Sequence, residues 1–552
     1  MPTSYTTKLS QIYGTNQAAQ VESRLQDLLT HYRHKLPTPI EASLDEQDVF
    51  LISYADQVHQ PGVKPLKTLQ SFCNAHLLKL IRGIHILPFF PWSSDDGFSV
   101  MDHRAVDPSL GSWMDLQKIA APFRLMVDGV INHTSVQGNW FQAFLKDELP
   151  YRDYFLTIEG NPDLSQVVRP RAFPLLTKFQ TASGERQVWT TFSTDQADLD
   201  YHNPDVLLQI IDILLMYVEH GAQFIRLDAI AYLWKEPGTT CIHLPQTHAI
   251  VQLLRAILDD VAPHVFLITE TNVPHADNIS YFGDGYNEAQ LVYNFALPPL
   301  VLHTFRTADS SILSQWASAL KPPSERTAFF NFLASHDGIG LNPARGILTP
   351  DYLEALVAQT QAHEGLISYK HNSDGTQSPY ELNINYFDAL SNPNSDQPIA
   401  MQINRFMAAH AIMLALRGVP GIYFHSLFGS RNWRQGVEIT HRNRTINRQK
   451  LAWRLLEQDL ANPSSIRSQV FNRFRSLLSQ RASSTAFHPN GAQSILDVGG
   501  GVFGVLRSSP DGSQQMLCLQ NITAQTQIVS LYKTDFTLEP YQVLWKTIEE
   551  IF

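Results

Sequence analysis

The chain has almost no cysteine: Cys73, Cys241 and Cys518 are the three thiols in 552 residues. Odd in number and far apart, they offer neither a disulfide framework nor the spacing of a metal site. Long apolar runs are missing too. The longest candidate, VLLQIIDILLMYV (206–218), is broken by Gln209 and Asp212 at helical spacing, which predicts a packed amphipathic helix rather than a membrane span. Positive charge is in deficit, with 41 Lys and Arg against 52 Asp and Glu and a formal net charge of −11. A nucleic-acid binder would normally show a basic face, so none is expected as a partner. A Gly-rich phosphate turn is also lacking: SYADQVHQ follows the first strand-like run, which disfavours an open doubly wound sheet. The first residues, MPTSYTTKLSQIYG, carry neither the apolar stretch nor the cleavage site of a secretory signal. A cytoplasmic location is therefore expected, with the sequons at Asn132, Asn278 and Asn521 as chance matches.

What is present is a composition of 44% hydrophobic and 17% charged residues, that of a globular protein with a large core. An amphipathic pattern over 17–35 predicts a helix, followed by a linker with two prolines. Then short apolar runs recur at 48–55, 81–90, 123–131, 222–229, 264–271, 289–297, 327–335 and 419–426, several separated by helix-like segments. This alternation implies parallel strands joined by βαβ crossovers, and eight of them suggest an α/β chain built on a closed (β/α)8 TIM barrel. The gaps after the third and seventh runs are too long for ordinary βα loops, and such excursions are usually functional. Beyond about residue 487, short apolar runs alternate with Gly, Asn and Asp turns, as in a small antiparallel β domain. The expected organisation is an N-terminal helical segment (1–47), a barrel in three parts (48–134, 201–340, 398–484), an inserted B domain (135–200), an inserted loop or subdomain (341–397) and a C-terminal β domain (485–552).

QFIRLDAI (223–230) places Arg226 and Asp228 inside what reads as a buried strand. Burying such a pair costs several kcal/mol per ion by rough estimate, and apolar replacements are often neutral or stabilising, so stability alone explains it poorly. In a barrel, catalytic groups sit at the C-terminal strand ends. Asp56, Asp128, Asn132, His133, Arg226, Asp228, Glu270, His336 and Asp337 all fall there. Carboxylates from different strands suit glycosidic-bond chemistry, with one as nucleophile and another as acid/base. Arg226 is expected to keep Asp228 ionised, and Glu270, after the apolar HVFLIT, to be raised by desolvation and carry the proton. Asn132 and His133 read as structural bonds behind the barrel face.

DGVINH (128–133), FIRLDAIAY (224–232), LITETN (267–272) and FLASHDGIG (332–340) resemble the four ordered motifs of the α-amylase family of retaining α-glucoside-active enzymes. The resemblance implies Asp228 as nucleophile, Glu270 as general acid/base and Asp337 as the third carboxylate, which holds the sugar hydroxyls. It also implies that His103 and His336 border the sugar and that Arg226 stands beside the nucleophile. Tyr232 joins this substrate-binding set, with a core role as its competitor, as for Phe192 and Trp189. GIHILPFFPWSSDDGFSVMDH, RPRAFPLLTKF (169–179), VWTTFSTDQADLD (188–200) and TINRQ (445–449) resemble the sucrose phosphorylase branch over roughly 46–480. That branch implies Asp56 and Arg448 gripping the far glucose hydroxyl, Phe192 as an aromatic platform and Gln196 at the acceptor. Phosphate would be bound by Arg171, with Tyr380 and Arg169 assisting.

Repulsion from Asp56, Asp228, Glu270 and Asp337 gives an independent reason for a phosphate user to bring cations into the same mouth. SPYELN (378–383), with Glu381 where sucrose phosphorylases have Gln, and ETNVPHADN (270–278) resemble instead the glucosylglycerate phosphorylases, which release glycerate. Glu381 near an anion is awkward unless it is turned away or bonded to an arginine. The expected partners are thus a small sugar glycoside and inorganic phosphate, with no metal or organic cofactor, in a monomer or homodimer. Competing readings are phosphorolysis of sucrose, sucrose 6′-phosphate or glucosylglycerol, hydrolysis or transglucosylation, and sugar binding without turnover.

Overall fold

The computed structural model describes residues 4–36, 43–171, 173–372, 376–531 and 533–550. Eight parallel strands close into a barrel: β1 (Phe50–Ser53), β2 (Gly83–Ile86), β3 (Arg124–Gly129), β4 (Ala222–Leu227), β5 (Phe266–Thr269), β6 (Leu291–Tyr293), β7 (Ala328–Asn331) and β8 (Val419–Tyr423). Each lies within one of the apolar runs read from the sequence. Neighbours in sequence are neighbours in the barrel, and β8 pairs with β1 through Phe50 opposite Gly421.

The barrel floor is aromatic. Phe50, Phe224 and Phe330 meet there, with the Phe50 ring 4.7 Å from Phe224 and 5.9 Å from Phe330. Two neighbouring strand positions must be glycine to admit these rings: a Cβ on Gly83 would stand 2.1 Å from the Phe50 ring, and one on Gly421 2.4 Å from that of Phe330. Small against large is how adjacent positions of a tapered barrel fill without voids.

The run 206–218 lies in a helix spanning Pro204–Glu219, capped by the Asn203 side chain, which accepts from the Asp205 N–H. Its apolar residues are buried and Asp212 stands at the edge, where Tyr32 donates to its Oδ1 at 2.8 Å. That tyrosine belongs to the N-terminal pair of helices, Thr6–Tyr13 and Thr15–Lys35, which dock on the outside of the barrel; Tyr5 donates to Asp260 at 2.9 Å. The second helix covers the predicted 17–35, and the first was not anticipated.

The long excursion after β3 carries a three-stranded antiparallel sheet (Thr157–Ile158, Leu176–Thr181, Gly184–Trp189) and a pair formed by His133–Ser135 and Gln196–Asp198. The one after β7 carries Ile339–Gly340, Leu366–His371 and Gln377–Asn383 as a second small sheet. Near the C-terminus, Ala492–Leu496, Val502–Ser508, Gln515–Asn521 and Val543–Thr547 form an antiparallel four-stranded sheet beside a separate hairpin. All three cysteines are buried and unpaired, and among the described residues no helix is long and apolar enough to cross a membrane.

Candidate active site

Above the aromatic floor lies an ionic layer. Asp128 on β3 is shared by His85 on β2, whose Nε2 is 2.8 Å from Oδ2, and by Arg226 on β4, whose Nη1 donates to Oδ1 at 2.6 Å. Arg226 and Asp128 are fully buried register partners of adjacent strands. The guanidinium lies 5.1 Å from the centre of the Tyr293 ring; the same Nη1 is 3.1 Å from Asp228 Oδ1, and Nη2 is 3.8 Å from Glu270 Oε1. The shortest bond of Arg226 thus goes down into the barrel, and the candidate catalytic pair shares what is left.

Asp228 follows the end of β4, and Glu270 the end of β5. Between them the chain turns at Ala229, a left-handed residue with φ 50°, which aims its N–H at Glu270 Oε2, 3.0 Å away. A non-glycine residue in this region is uncommon outside turns, and such strain clusters at functional sites. Asp337, after β7, completes the set: Arg444 reaches its Oδ1 at 2.6 Å, and His336 Nε2 lies 3.5 Å from Oδ2. The His336 ring stacks on Phe98 at 4.8 Å, and burial lowers its pKa to about 3, so it is a neutral imidazole.

These environments split the carboxyls. Burial pushes Asp337 up, but Arg444, His336, Arg448 and Arg226 together hold it well below the usual carboxylate range. Asp228 and Glu270 both move the other way. Burial is the largest cause, Arg226 opposes it, and the negative neighbours, Asp128 and Asp337 for both groups, add to it. The expectation that Arg226 keeps Asp228 ionised is therefore corrected: Arg226 does lower its pKa, but burial and the negative neighbours outweigh an arginine divided among three carboxylates. Two carboxyls so placed hold a proton between them more readily than isolated ones.

The cavity over these groups, about 70 Å³, is lined among others by Phe98, His133, Phe192, Gln196, Asn272 and Tyr380, with Asp95, Arg171 and Arg444. It joins an outer chamber of about 530 Å³ that shares Asp95, Arg171, Tyr380 and Arg444 and adds Asp96, Glu381, Arg442 and Arg448. Arg171, from the excursion after β3, lies 5.6 Å from the centre of the Phe192 ring and pairs with Asp95 at 3.2 Å. Gln196 accepts from Ser193, and its Nε2 is 3.2 Å from His133 Nε2.

Other candidates are absent from the lining of the inner cavity. Arg169 donates to the Phe173 carbonyl and lines neither chamber. His103 Nε2 donates to the Val130 carbonyl at 3.0 Å, the ring stacks on Trp140, and burial lowers its pKa to about 4. Asp56 takes Lys450 at 2.6 Å, whereas Arg448 is bonded to Asp96 and to the His336 carbonyl. Tyr232 backs Phe192 edge-on at 5.5 Å and is absent from the lining of both chambers. Glu381 lies beneath Arg444, fully buried.

Asp95, Asp96, Arg444 and His133 are among the lining residues that the sequence reading did not place at the site. Asp95 and Asp96 look like solvated turn residues in WSSDDG, and Arg444 immediately precedes the quoted TINRQ without local periodicity to mark it. His133 was read as structural, yet it lines the cavity; Asn132, bonded to Asp198 and Lys235, stays behind the face. No cluster suited to a metal occurs among the described residues.

The α-amylase catalytic-domain family matches residues 78–338. Over 93% of its length the chain is 52% identical to the glucosylglycerate phosphorylase of Spirochaeta thermophila, 88% of which is covered. It is 43% identical to the glucosylglycerate phosphorylase of Escherichia coli, with 97% of this chain and 98% of that one covered. Among solved structures, sucrose 6F-phosphate phosphorylase from Thermoanaerobacter thermosaccharolyticum superposes with a TM-score of 0.77 at 24% identity, covering 92% of this chain and 99% of that one, which is a likeness of fold.

Proposed function

The chain belongs to the α-amylase family, in the branch that holds the glucosylglycerate and sucrose phosphorylases, and from that membership we propose a retaining phosphorylase acting on 2-O-α-glucosylglycerate. It would transfer the glucosyl group to inorganic phosphate, giving α-D-glucose 1-phosphate and D-glycerate. The observation that carries the reading is the convergence of Asp228, Glu270 and Asp337 in one cavity with Arg171 and Tyr380 from the two long excursions. Glycerate is preferred over fructose as acceptor because of the identity to the glucosylglycerate phosphorylases along nearly the whole chain.

The chemistry is a double displacement. Asp228 attacks the anomeric carbon, the glycosidic C–O bond breaks, and the Glu270 proton passes to the departing glycerate oxygen. Glu270 Oε2 accepts the Ala229 N–H, so Oε1 is the atom free to carry that proton. Phosphate then attacks the same carbon from the vacated side, Glu270 takes up its proton, and Asp228 leaves; two inversions give retention. Asp337, held ionised by Arg444, grips the ring hydroxyls as charge develops at the anomeric centre. Arg171 offsets the repulsion between phosphate and the carboxylates. The long excursions exclude water from the glucosyl-enzyme. A cytoplasmic location is part of the proposal, in keeping with three buried, unpaired thiols.

The test is phosphate release from α-glucose 1-phosphate with D-glycerate, fructose, fructose 6-phosphate or glycerol supplied separately. Fast release with D-glycerate is expected. Equal release without any acceptor would make water the second nucleophile and the enzyme a hydrolase.

A further inference from the structure

In both chambers every guanidinium among the described residues already faces a carboxylate. Arg171 has Asp95, Arg444 has Asp337 and Glu381, and Arg448 has Asp96, with Arg442 at 3.9 Å from the same Asp96. A dianion entering this site finds no unpaired guanidinium. Phosphate therefore meets a carboxylate at each guanidinium it could use.

The contacts differ in how firmly they are made. Glu381 is fully buried and takes two hydrogen bonds from Arg444. Arg448 is held additionally by the His336 carbonyl. Asp95 meets Arg171 through a single 3.2 Å contact, with both side chains more than a fifth exposed, and its other donor, Gln196 Nε2, is a long 3.4 Å away. Asp95 also sits on a turn rather than a strand end: Asp95, Asp96 and Gly97 have φ of 55°, 51° and 112°. Burial pushes its carboxyl up, but Arg171, Arg444 and Arg448 hold it far below the usual range, so at neutral pH it competes as a full charge.

We propose that Asp95 is an internal stand-in for phosphate, occupying the Arg171 guanidinium between turnovers and yielding it to the incoming anion. The proposal rests on the phosphorylase reading above. Asp95 is then a positioning residue that sets phosphate affinity through competition for Arg171. Its competition also penalises weaker anions, because only a ligand that binds Arg171 better than the tethered carboxylate displaces it.

Two variants test this. Asp95→Asn keeps the shape and tolerates the left-handed backbone, and Asp95→Gly suits that backbone while removing the side chain. Steady-state kinetics of the full chain with glucosylglycerate as donor and varied inorganic phosphate should show KM for phosphate falling about 2- to 5-fold in both, the range for loss of one partly exposed ionic competitor. Unchanged or raised KM for phosphate in both variants would make Asp95 a brace for Arg171 and overturn the proposal. Turnover of the unmodified enzyme that ignores phosphate would instead bring down the phosphorylase reading, and this proposal with it.

Discussion

Arg444 grips Glu381 with two parallel hydrogen bonds, Nε to Oε1 at 3.0 Å and Nη2 to Oε2 at 2.7 Å. The guanidinium's third nitrogen reaches Asp337. A glutamate that the sequence sets awkwardly close to an anion site is thereby neutralised and turned into a support for the third carboxylate. Bidentate pairing of this kind fixes geometry as well as charge.

Because Glu381 is buried, removing Arg444 leaves its charge uncompensated, and removing Glu381 leaves Arg444 two hydrogen bonds short. In a double-mutant cycle of Glu381→Gln and Arg444→Gln, each single change should destabilise the protein and the pair should be coupled by about 2 kcal/mol or more. Urea unfolding of the four proteins measures this. Additive losses would mean that the contact contributes no net stability.

Arg171 lines the cavity but bonds none of Asp228, Glu270 and Asp337, so its loss should be felt in one half-reaction. Arg171→Ala is expected to raise KM for phosphate by about 10-fold or more while burst formation of the glucosyl-enzyme changes little. Equal losses in both half-reactions would remove Arg171 from the phosphate site.

The paired carboxyls predict the pH behaviour. Asp337 raises the pKa of both Asp228 and Glu270 through its negative charge. The alkaline limb of kcat/KM reports loss of the proton that Glu270 must donate. Taking away a negative neighbour lowers a carboxyl pKa, so Asp337→Asn, beyond slowing catalysis, should move that limb to lower pH, by roughly half a unit to one unit. A limb that stays fixed or moves up would show that Asp337 does not act on the pair.

The barrel was legible because each strand is a short apolar run of its own, and the carboxylates because barrel strands end in chemistry. Partnerships across loops were not. Glu381 and Arg444 are 63 positions apart, and Asp96 and Arg448 are 352 apart, in segments with no periodic pattern to announce that they meet. The same absence hid the exchange that gives Asp56 to Lys450 and Arg448 to Asp96. His133 combines both aspects: its backbone pairs with Asp198 and its ring bonds the Phe98 carbonyl, while it also lines the cavity.

The central claim is that glucose passes through a covalent ester on Asp228 and is discharged by phosphate. Glu270→Gln treated with α-glucosyl fluoride tests it most directly, since fluoride departs without an acid and water attacks slowly without a base. Mass spectrometry should find one anhydroglucose unit on the peptide bearing Asp228, lost rapidly when phosphate is added and slowly in its absence. No adduct, an adduct on another residue, or discharge indifferent to phosphate would contradict the account.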